Sequence, residues 1–200
     1  EFRRVLFRSI VLLATTTTVL AGKAALPPDN LAQLIAYGRA RKDKLTFASC
    51  SNGSSQHIAG ELFGQLAGIQ LTHVPFKGCT QGIPLVLNGE VDMIVNTLAN
   101  LSQYIKAGKL KAYAVTGSQR SQFAPELPTL AEGGFVNGAM DNWFGLIGPA
   151  GMPAAIIARI NSEANAALTR PEGREKLIAL QYDLRGGTAA EFGEIGRAHV

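Results

Sequence analysis

Short apolar runs typical of β-strands alternate along this chain with segments of helical periodicity, and Gly, Asn or Pro marks each change. This alternation predicts βαβ units, in which helices cover a sheet of parallel strands. The predicted strands of the central region span residues 45–49, 69–76, 91–95 and 110–116, and helical segments separate them. We therefore expect a compact α/β lobe in the middle of the chain.

The composition excludes several other classes of protein. Of the 200 residues, 46% are hydrophobic and 17% are charged, which suits a packed core and not a disordered or coiled-coil chain. The longest apolar run, which begins at Ile10, is shorter than the roughly 20 residues of a membrane-spanning helix. The net charge is +4, but the basic residues are scattered and no nucleic-acid-binding motif accompanies them. We expect neither membrane insertion nor a nucleic-acid partner.

The two ends of the chain look foreign to the rest. Residues 4–9 (RVLFRS) and 194–200 (EIGRAHV) correspond to translations of the two strands of a common sequencing adapter. We therefore expect residues 1–9 and 194–200 to be non-native. The remaining residues, 10–193, then carry a net charge of +2, half that of the whole chain. The arginines that would begin a signal peptide then belong to the adapter, so a chain that enters mid-domain on a buried strand is the preferred interpretation.

Further elements flank the central lobe. A helix over residues 32–41 precedes it, and a connector with several prolines, 122–134, follows it. The next segment, 143–147, reads as a strand, and the helix after it has an apolar face suited to burial, which contains Ile156, Ile157, Ile160, Ala164, Ala167 and Leu168. A last helix is predicted over residues 171–180.

The turn after strand 45–49 is the strongest candidate for a binding site. Asn52 and Gly53 form a turn there, and Ser54 or Ser55 can cap the following helix. Backbone N–H groups at a helix start attract anions, so residues 53–56 and the two hydroxyls could hold a carboxylate or phosphate. The simpler alternative is a capped helix with no ligand. No GxGxxG or Walker sequence is present, so no nucleotide cofactor is predicted.

Other polar residues follow the next two strands. Lys77 would add positive charge, and Asn96 and Thr97 would add neutral hydrogen bonds, because the carboxyl ends of parallel strands meet at one edge of a sheet. A solvated lysine and helix capping remain the alternatives. Ser54 and His57 also allow a hydrolase, although no GxSxG sequence and no third catalytic group are identifiable. His73 lies within a strand and is interpreted as a packed or edge histidine.

The two cysteines, Cys50 and Cys79, lack metal-ligand spacing, and no metal site is predicted. Both follow strands that should end at the same edge of the sheet. A disulfide is conceivable if those strands are neighbours, but two free buried thiols are the favoured interpretation. The cysteines therefore leave the cellular compartment open.

Several spaced motifs together resemble one known family. They are FASCSNGSSQHIAGELFGQLAGIQLTHVPFKG, LNGEVDMIV, IKAGKLKAYAVTGSQRS, LPTLAEGG and WFGLIGPAGMP, within residues 10–193. This series is similar to the Bug-type receptors of tripartite tricarboxylate transporters. The resemblance implies a two-lobed Venus-flytrap fold of the type II periplasmic binding protein class, which holds a small carboxylated metabolite between its lobes. It also implies location in the periplasm, delivery to a membrane permease, and no chemistry on the ligand.

The resemblance also assigns domains and ligand-binding residues. Residues 10–19 would end lobe one and begin the first hinge strand (17–21), 20–142 would form lobe two, and 143–193 would supply the second hinge strand and the helices of lobe one. The ligand-binding residues would be Ser51, Asn52, Gly53, Ser54, Ser55, His57, Lys77, Gly78, Asn96 and Thr97. The chain departs from the usual pattern at Cys50, Ser51, Cys79, Pro84 and Asn96.

The resemblance also implies that full-length members have about half of lobe one before the point where this sequence starts, and a last helix after the point where it stops. We therefore expect the central lobe to fold, the Ile156 face to be left exposed, and ligand binding by this exact chain to be weak or absent. Two other functions remain open at this point. One is the effector-binding domain of a transcription regulator with the same two-lobed fold, and the other is a small α/β hydrolase.

Overall fold

The computed structural model describes residues 6–195, so residues 1–5 and 196–200 of the expected non-native ends lie outside the described residues. The chain divides into two compact units at 16/17 and 142/143. Residues 17–142 form what we call the central unit, and residues 6–16 and 143–195 form the flanking unit. The sequence placed the corresponding boundaries at 19/20 and 142/143.

The central unit contains a five-stranded sheet in the order β4-β3-β5-β2-β6. Its strands are β2 (Thr18–Lys23), β3 (Leu45–Ala48), β4 (Leu71–Val74), β5 (Met93–Thr97) and β6 (Leu110–Val115), and its helices are α1 (Leu31–Ala40), α2 (Ser55–Ala67), α3 (Ile83–Leu87) and α4 (Leu98–Lys106). A short 3-10 helix, Val136–Gly138, lies between β6 and the end of the unit. The predicted alternation of strands and helices is thus confirmed, and each predicted strand of this region is present with slightly different ends.

The prediction of a parallel sheet is wrong for one strand. β3 is parallel to β4 and β5, but β2 runs antiparallel between β5 and β6. All but the last residue of β2 are buried, so the strand lies within the sheet and both of its edges are paired. Hydrophobic periodicity identifies a strand without identifying its neighbours, which explains why this insertion was not foreseen.

Both faces of the sheet are covered by apolar side chains. β2 shows this alternation directly, because Leu20 belongs to one buried cluster whereas Val19 and Ala21 belong to the other. The first cluster includes Phe47 and Phe63, which are fully buried between β3 and α2. The strand and helix that form the candidate turn are therefore anchored in the core on the same face.

An ion pair links three strands at the amino end of the parallel strands. Asp92, just before β5, places Oδ1 2.8 Å from Lys23 Nζ. Its Oδ2 accepts hydrogen bonds from the backbone N–H and the hydroxyl of Thr46, each at 3.1 Å. Burial opposes ionisation of this carboxyl group, but the bonds from Lys23 and Thr46 outweigh it and hold the pKa of Asp92 below its usual range.

The flanking unit contains a three-stranded sheet in the order β7-β1-β8. Its strands are β1 (Phe7–Thr16), β7 (Asn142–Pro149) and β8 (Asp183–Leu184), and its helices are α5 (Ala154–Thr169), α6 (Pro171–Ala179) and α7 (Ala189–Ile195). No residue of α5 is fully buried: Ile156 is 48% exposed, and Ile157 and Ile160 are half-buried. The exposure expected for this face of the helix is thus observed at Ile156. None of the helices in residues 6–195 has both the length and the apolarity needed to cross a membrane.

Candidate functional site

Three neighbouring strands of the five-stranded sheet have their carboxyl ends side by side. β4, β3 and β5 are parallel neighbours, with Ala48 opposite Val74 on one side and Ile94 on the other. The segments that follow these strands therefore emerge at the same edge, where open α/β sheets bind ligands. We call this edge, formed by residues 49–57, 75–82 and 96–100, the carboxyl-end rim.

Ser54 is the residue that caps helix α2. Its hydroxyl accepts the backbone N–H of His57 at 3.2 Å and donates to the carbonyl of Ser51 at 2.8 Å. Gly53, the residue before it, has φ +75°, a left-handed conformation that favours glycine. At the other end, Gly68 ends the helix in the same left-handed region, as the sequence predicted. The turn and both helix ends thus follow from local sequence.

Two of the four backbone amides at this turn, those of residues 53–56, donate hydrogen bonds to neighbouring groups of the protein. The N–H of Gly53 donates to His57 Nδ1 at 3.0 Å, and the N–H of Ser54 donates to the Ser51 carbonyl at 3.2 Å. Within residues 6–195, no acceptor bonds the N–H groups of Ser55 and Gln56, as expected for the first turn of a helix. The positive end of the helix dipole adds to their attraction for an anion, by about 0.3–1 kcal/mol.

Two histidine rings stack behind the turn. The ring centroids of His57 and His73 are 3.8 Å apart at an interplanar angle of 14°, and His73 also packs against Phe47. His57 Nδ1 accepts the Gly53 N–H, and its Nε2 lies 3.5 Å from an oxygen of Glu61. Glu61 was not predicted to belong to this group, although its position four residues after His57 on a helix was a usable signal.

His73 is the packed edge histidine that the sequence predicted. It lies half-buried on β4, the outermost strand, and its Nε2 is 2.7 Å from the hydroxyl of Ser49. Burial, followed by the neighbouring His57, lowers the pKa of His73, and Glu61 opposes this effect. Ser49 was missed because its contact with His73 depends on strand pairing and not on local spacing.

The geometry gives no support to hydrolase chemistry. The Ser54 hydroxyl bonds backbone groups and not the His57 ring. Ser49 does contact a histidine, but it is only 3% exposed and so is closed to a substrate. Within residues 6–195, no group of three or more His, Cys, Asp or Glu side chains is placed to hold a metal ion.

The remaining predicted site residues divide into two kinds. Lys77 is exposed, and no carboxylate of residues 6–195 pairs with its ammonium group, while Gly78 next to it is half-buried. Thr97 is half-buried at the start of α4. Asn96, in contrast, is fully buried, and its amide bonds the Cys79 carbonyl, the Thr97 N–H and Asn100. The structure thus gives Asn96 a role within the protein.

Cys50 and Cys79 form a disulfide, so the favoured interpretation of two free thiols is wrong. The physical reason is the strand order: β3 and β4 are adjacent and parallel, which brings the segments after them within bonding reach. The bond joins the segment that carries Ser51–Ser55 to the one that carries Lys77 and Gly78.

This fold is that of periplasmic solute-binding proteins. The structure matches an R. palustris protein solved with adipate (TM-score 0.83, 28% identity, 97% of this chain and 65% of that one) and the periplasmic binding protein BugD (0.79, 28%, 92% and 61%). It also matches MatC from Rhodopseudomonas palustris with bound malate (0.76, 28%, 89% and 60%). The predicted fold class, a partial two-lobed periplasmic binding protein, is confirmed.

The family follows from the sequence comparison. A model described as "Tripartite tricarboxylate transporter family receptor" matches residues 2–192, so the chain belongs to that family. It is 34% identical over 195 residues to the protein of the tcbD-tcbE intergenic region of Pseudomonas sp. (97% of this chain, 58% of the relative). It is 31% identical over 182 residues to BugT of Bordetella pertussis (87% and 56%). The chain thus spans a little over half the length of these curated relatives.

Proposed function

We propose that this chain is a solute-binding receptor that captures a small carboxylate at the carboxyl-end rim and delivers it to the membrane component of a tripartite tricarboxylate-type transporter. The single observation that carries the proposal is that two backbone N–H groups and one lysine, none of them paired by an acceptor or carboxylate of residues 6–195, lie on the same rim. The proposed ligand contacts are the backbone amide of Gln56 together with Ser51, Asn52, Gly53, Ser54, Ser55, His57, Lys77, Gly78 and Thr97.

The charges at the rim favour an anionic ligand. The amides of Ser55 and Gln56 can each donate one hydrogen bond, and Lys77 supplies a charge with no carboxylate of residues 6–195 opposite it. Bonds between such donors and an ionised acceptor are shorter and stronger than neutral ones. The structures solved with adipate and malate support the same ligand class, since both of those ligands are dicarboxylates.

Receptor function, and not catalysis, fits these features. The rim offers donors that bind and orient an anion. The two serine hydroxyls that have a histidine nearby are not free for catalysis, because that of Ser54 caps a helix and that of Ser49 is buried. Location in the periplasm is supported by the Cys50–Cys79 disulfide, because such bonds persist in oxidising compartments and are rare in the cytosol.

The proposal can be tested by NMR titration of the chain with malate and adipate, since amide shifts detect even millimolar binding. We expect the shifts of Ser55, Gln56 and Lys77 to change most. Lys77→Gln should weaken binding about tenfold, which corresponds to about 1.4 kcal/mol. Lys109→Gln is the matched control, because this exposed lysine lies at the opposite edge of the sheet, before β6.

The neutral diamides of the same acids serve as ligand controls. The proposal fails if neither acid shifts the rim amides of a protein whose spectrum shows a folded central unit. It also fails if the diamides produce the same shifts as the acids, because the rim would then not recognise charge.

A further inference from the structure

The two segments that carry the proposed ligand contacts have little backbone pairing to hold them together. The last paired residues of β3 and β4 are Ala48 and Val74, and the turn and Lys77 lie beyond them. Ser51 accepts the Ser54 N–H and hydroxyl within its own turn, and the Lys77 N–H bonds Gln81 within its own segment. These bonds order each segment internally. They do not fix the position of one segment relative to the other, so other contacts must do so.

The disulfide lies where it can fix that relative position. Cys50 directly precedes Ser51, and Cys79 directly follows Gly78, so the bond joins residues adjacent to the proposed contacts on both segments. Cys50 is buried, which places this end of the bond in the protein interior. A covalent link one residue from each set of contacts restricts both segments at once.

Asn96 connects the same point to the third strand. Its side chain is fully buried, and its Nδ2 donates to the carbonyl of Cys79. Its Oδ1 accepts from the Thr97 N–H at 2.7 Å and from Asn100 Nδ2 at 3.0 Å. An amide with both ends bonded in the interior is a fixed reference point, because leaving any partner unbonded there is costly. The segments after β3, β4 and β5 are thereby tied together.

We infer that the Cys50–Cys79 disulfide, together with the hydrogen bond from Asn96 to the Cys79 carbonyl, positions the two ligand-contacting segments. Carboxylate affinity then depends on the disulfide being formed. The inference rests on the proposed function. The physical reason is preorganisation: segments already fixed in the free protein lose less conformational freedom when the ligand binds. Reduction adds one proton and one electron to each sulfur, with an external thiol or phosphine as the reductant, and releases the segments from each other.

The test compares the oxidised chain with the same chain reduced by a phosphine, titrated with malate or adipate by NMR. We expect binding about tenfold weaker after reduction, equivalent to about 1.4 kcal/mol, and full recovery on reoxidation. The double variant Cys50→Ala/Cys79→Ala should match the reduced protein. Amide shifts of core residues Phe47 and Tyr113 report whether the central unit remains folded.

A second readout needs no ligand. Hydrogen exchange of the amides in residues 51–56 and 77–82 should accelerate on reduction, while exchange in β2 and β5 stays unchanged. Asn96→Asp, which removes the donor to the Cys79 carbonyl, should accelerate exchange mainly in 77–82. Equal carboxylate affinity of the oxidised and reduced chains overturns the inference and leaves the proposed function standing. If the oxidised chain binds neither acid, the proposed function fails and the inference falls with it.

Discussion

Replacing Asp92 by Asn should destabilise the central unit by about 2 kcal/mol near neutral pH. The carboxylate, whose side chain is 16% exposed, accepts a bond from Lys23 Nζ at 2.8 Å and two from Thr46 at 3.1 Å. Hydrogen bonds to a charged group contribute about 1.5–3 kcal/mol each. The Asn side chain has one oxygen in place of two. If that oxygen accepts from Thr46, the NH2 group faces the ammonium of Lys23; if the amide is turned over, Lys23 faces a neutral oxygen, which is a weaker acceptor than a carboxylate. Partial exposure screens the loss, so we expect the lower part of that range for the whole change.

The effect should depend on pH in a defined direction. The pKa of Asp92 is held below its usual range in the folded protein, so the unfolded chain takes up the proton first as pH falls. The stabilisation is therefore complete above the unfolded value of about 3.9 and is lost as the pH drops through it toward the folded value. The variant lacks this contribution, so the difference between the two proteins should shrink between pH 7 and pH 3.

Urea unfolding followed by far-UV circular dichroism at both pH values measures this difference. The control is Glu172→Gln, which removes an exposed ion pair with Lys176 on α6 and should have little effect at either pH. A stability difference for Asp92→Asn that is the same at pH 7 and pH 3, or one below about 0.5 kcal/mol at pH 7, would refute the argument, because the charge would then contribute nothing.

Three further predictions concern α2 and its surroundings. Gly60→Ala should lower the free energy of unfolding by about 1–3 kcal/mol in urea, because a Cβ there would lie within van der Waals overlap of the buried Phe47 ring. Ser54→Ala should cost about 1 kcal/mol in the same assay through loss of the cap on the His57 N–H, and Ser54→Gly should cost less. His73 has a lowered pKa, so its contribution to stability should be complete above pH about 6.5 and decline below it; His73→Phe should flatten that part of the stability profile, and an unchanged profile would contradict the argument.

Helix α2 shows how much of the site local sequence can predict. Its cap at Ser54 and its end at Gly68 depend on residues within one turn, and both appear in the sequence as recognised signals. The presence of β3, β4, β5 and β6 was predictable for the same reason, since each is a short apolar run bounded by turn residues. The convergence of their following segments at one edge required only that three of these strands be parallel.

Features that depend on distant pairing were not predictable in this way. The insertion of β2 between β5 and β6 places residues 18–23 beside residues 71 to 96 positions further along the chain. The disulfide between Cys50 and Cys79 became decidable only once β3 and β4 were known to be neighbours. The surroundings of Asn96 also depend on distant pairing. Its position after a strand predicted a ligand contact, whereas in the structure its side chain is buried and donates to the Cys79 carbonyl.

The parallel strands of the central sheet are linked at their amino ends by the Asp92 ion pair and near their carboxyl ends by the disulfide. Because the two links are distant, a change at Asp92 should affect stability and not ligand affinity. At the amino end, Asp92 bonds Thr46 at the start of β3; at the carboxyl end, Cys50 lies just past the same strand. Three residues lie between Thr46 and Cys50, and the four steps along the chain span about 13 Å at roughly 3.3 Å per residue. Changes at sites more than about 7–10 Å apart usually add in free energy. Asp92→Asn should therefore lower stability without altering carboxylate affinity, and the loss of stability from reducing the disulfide should be the same in that variant as in the original chain.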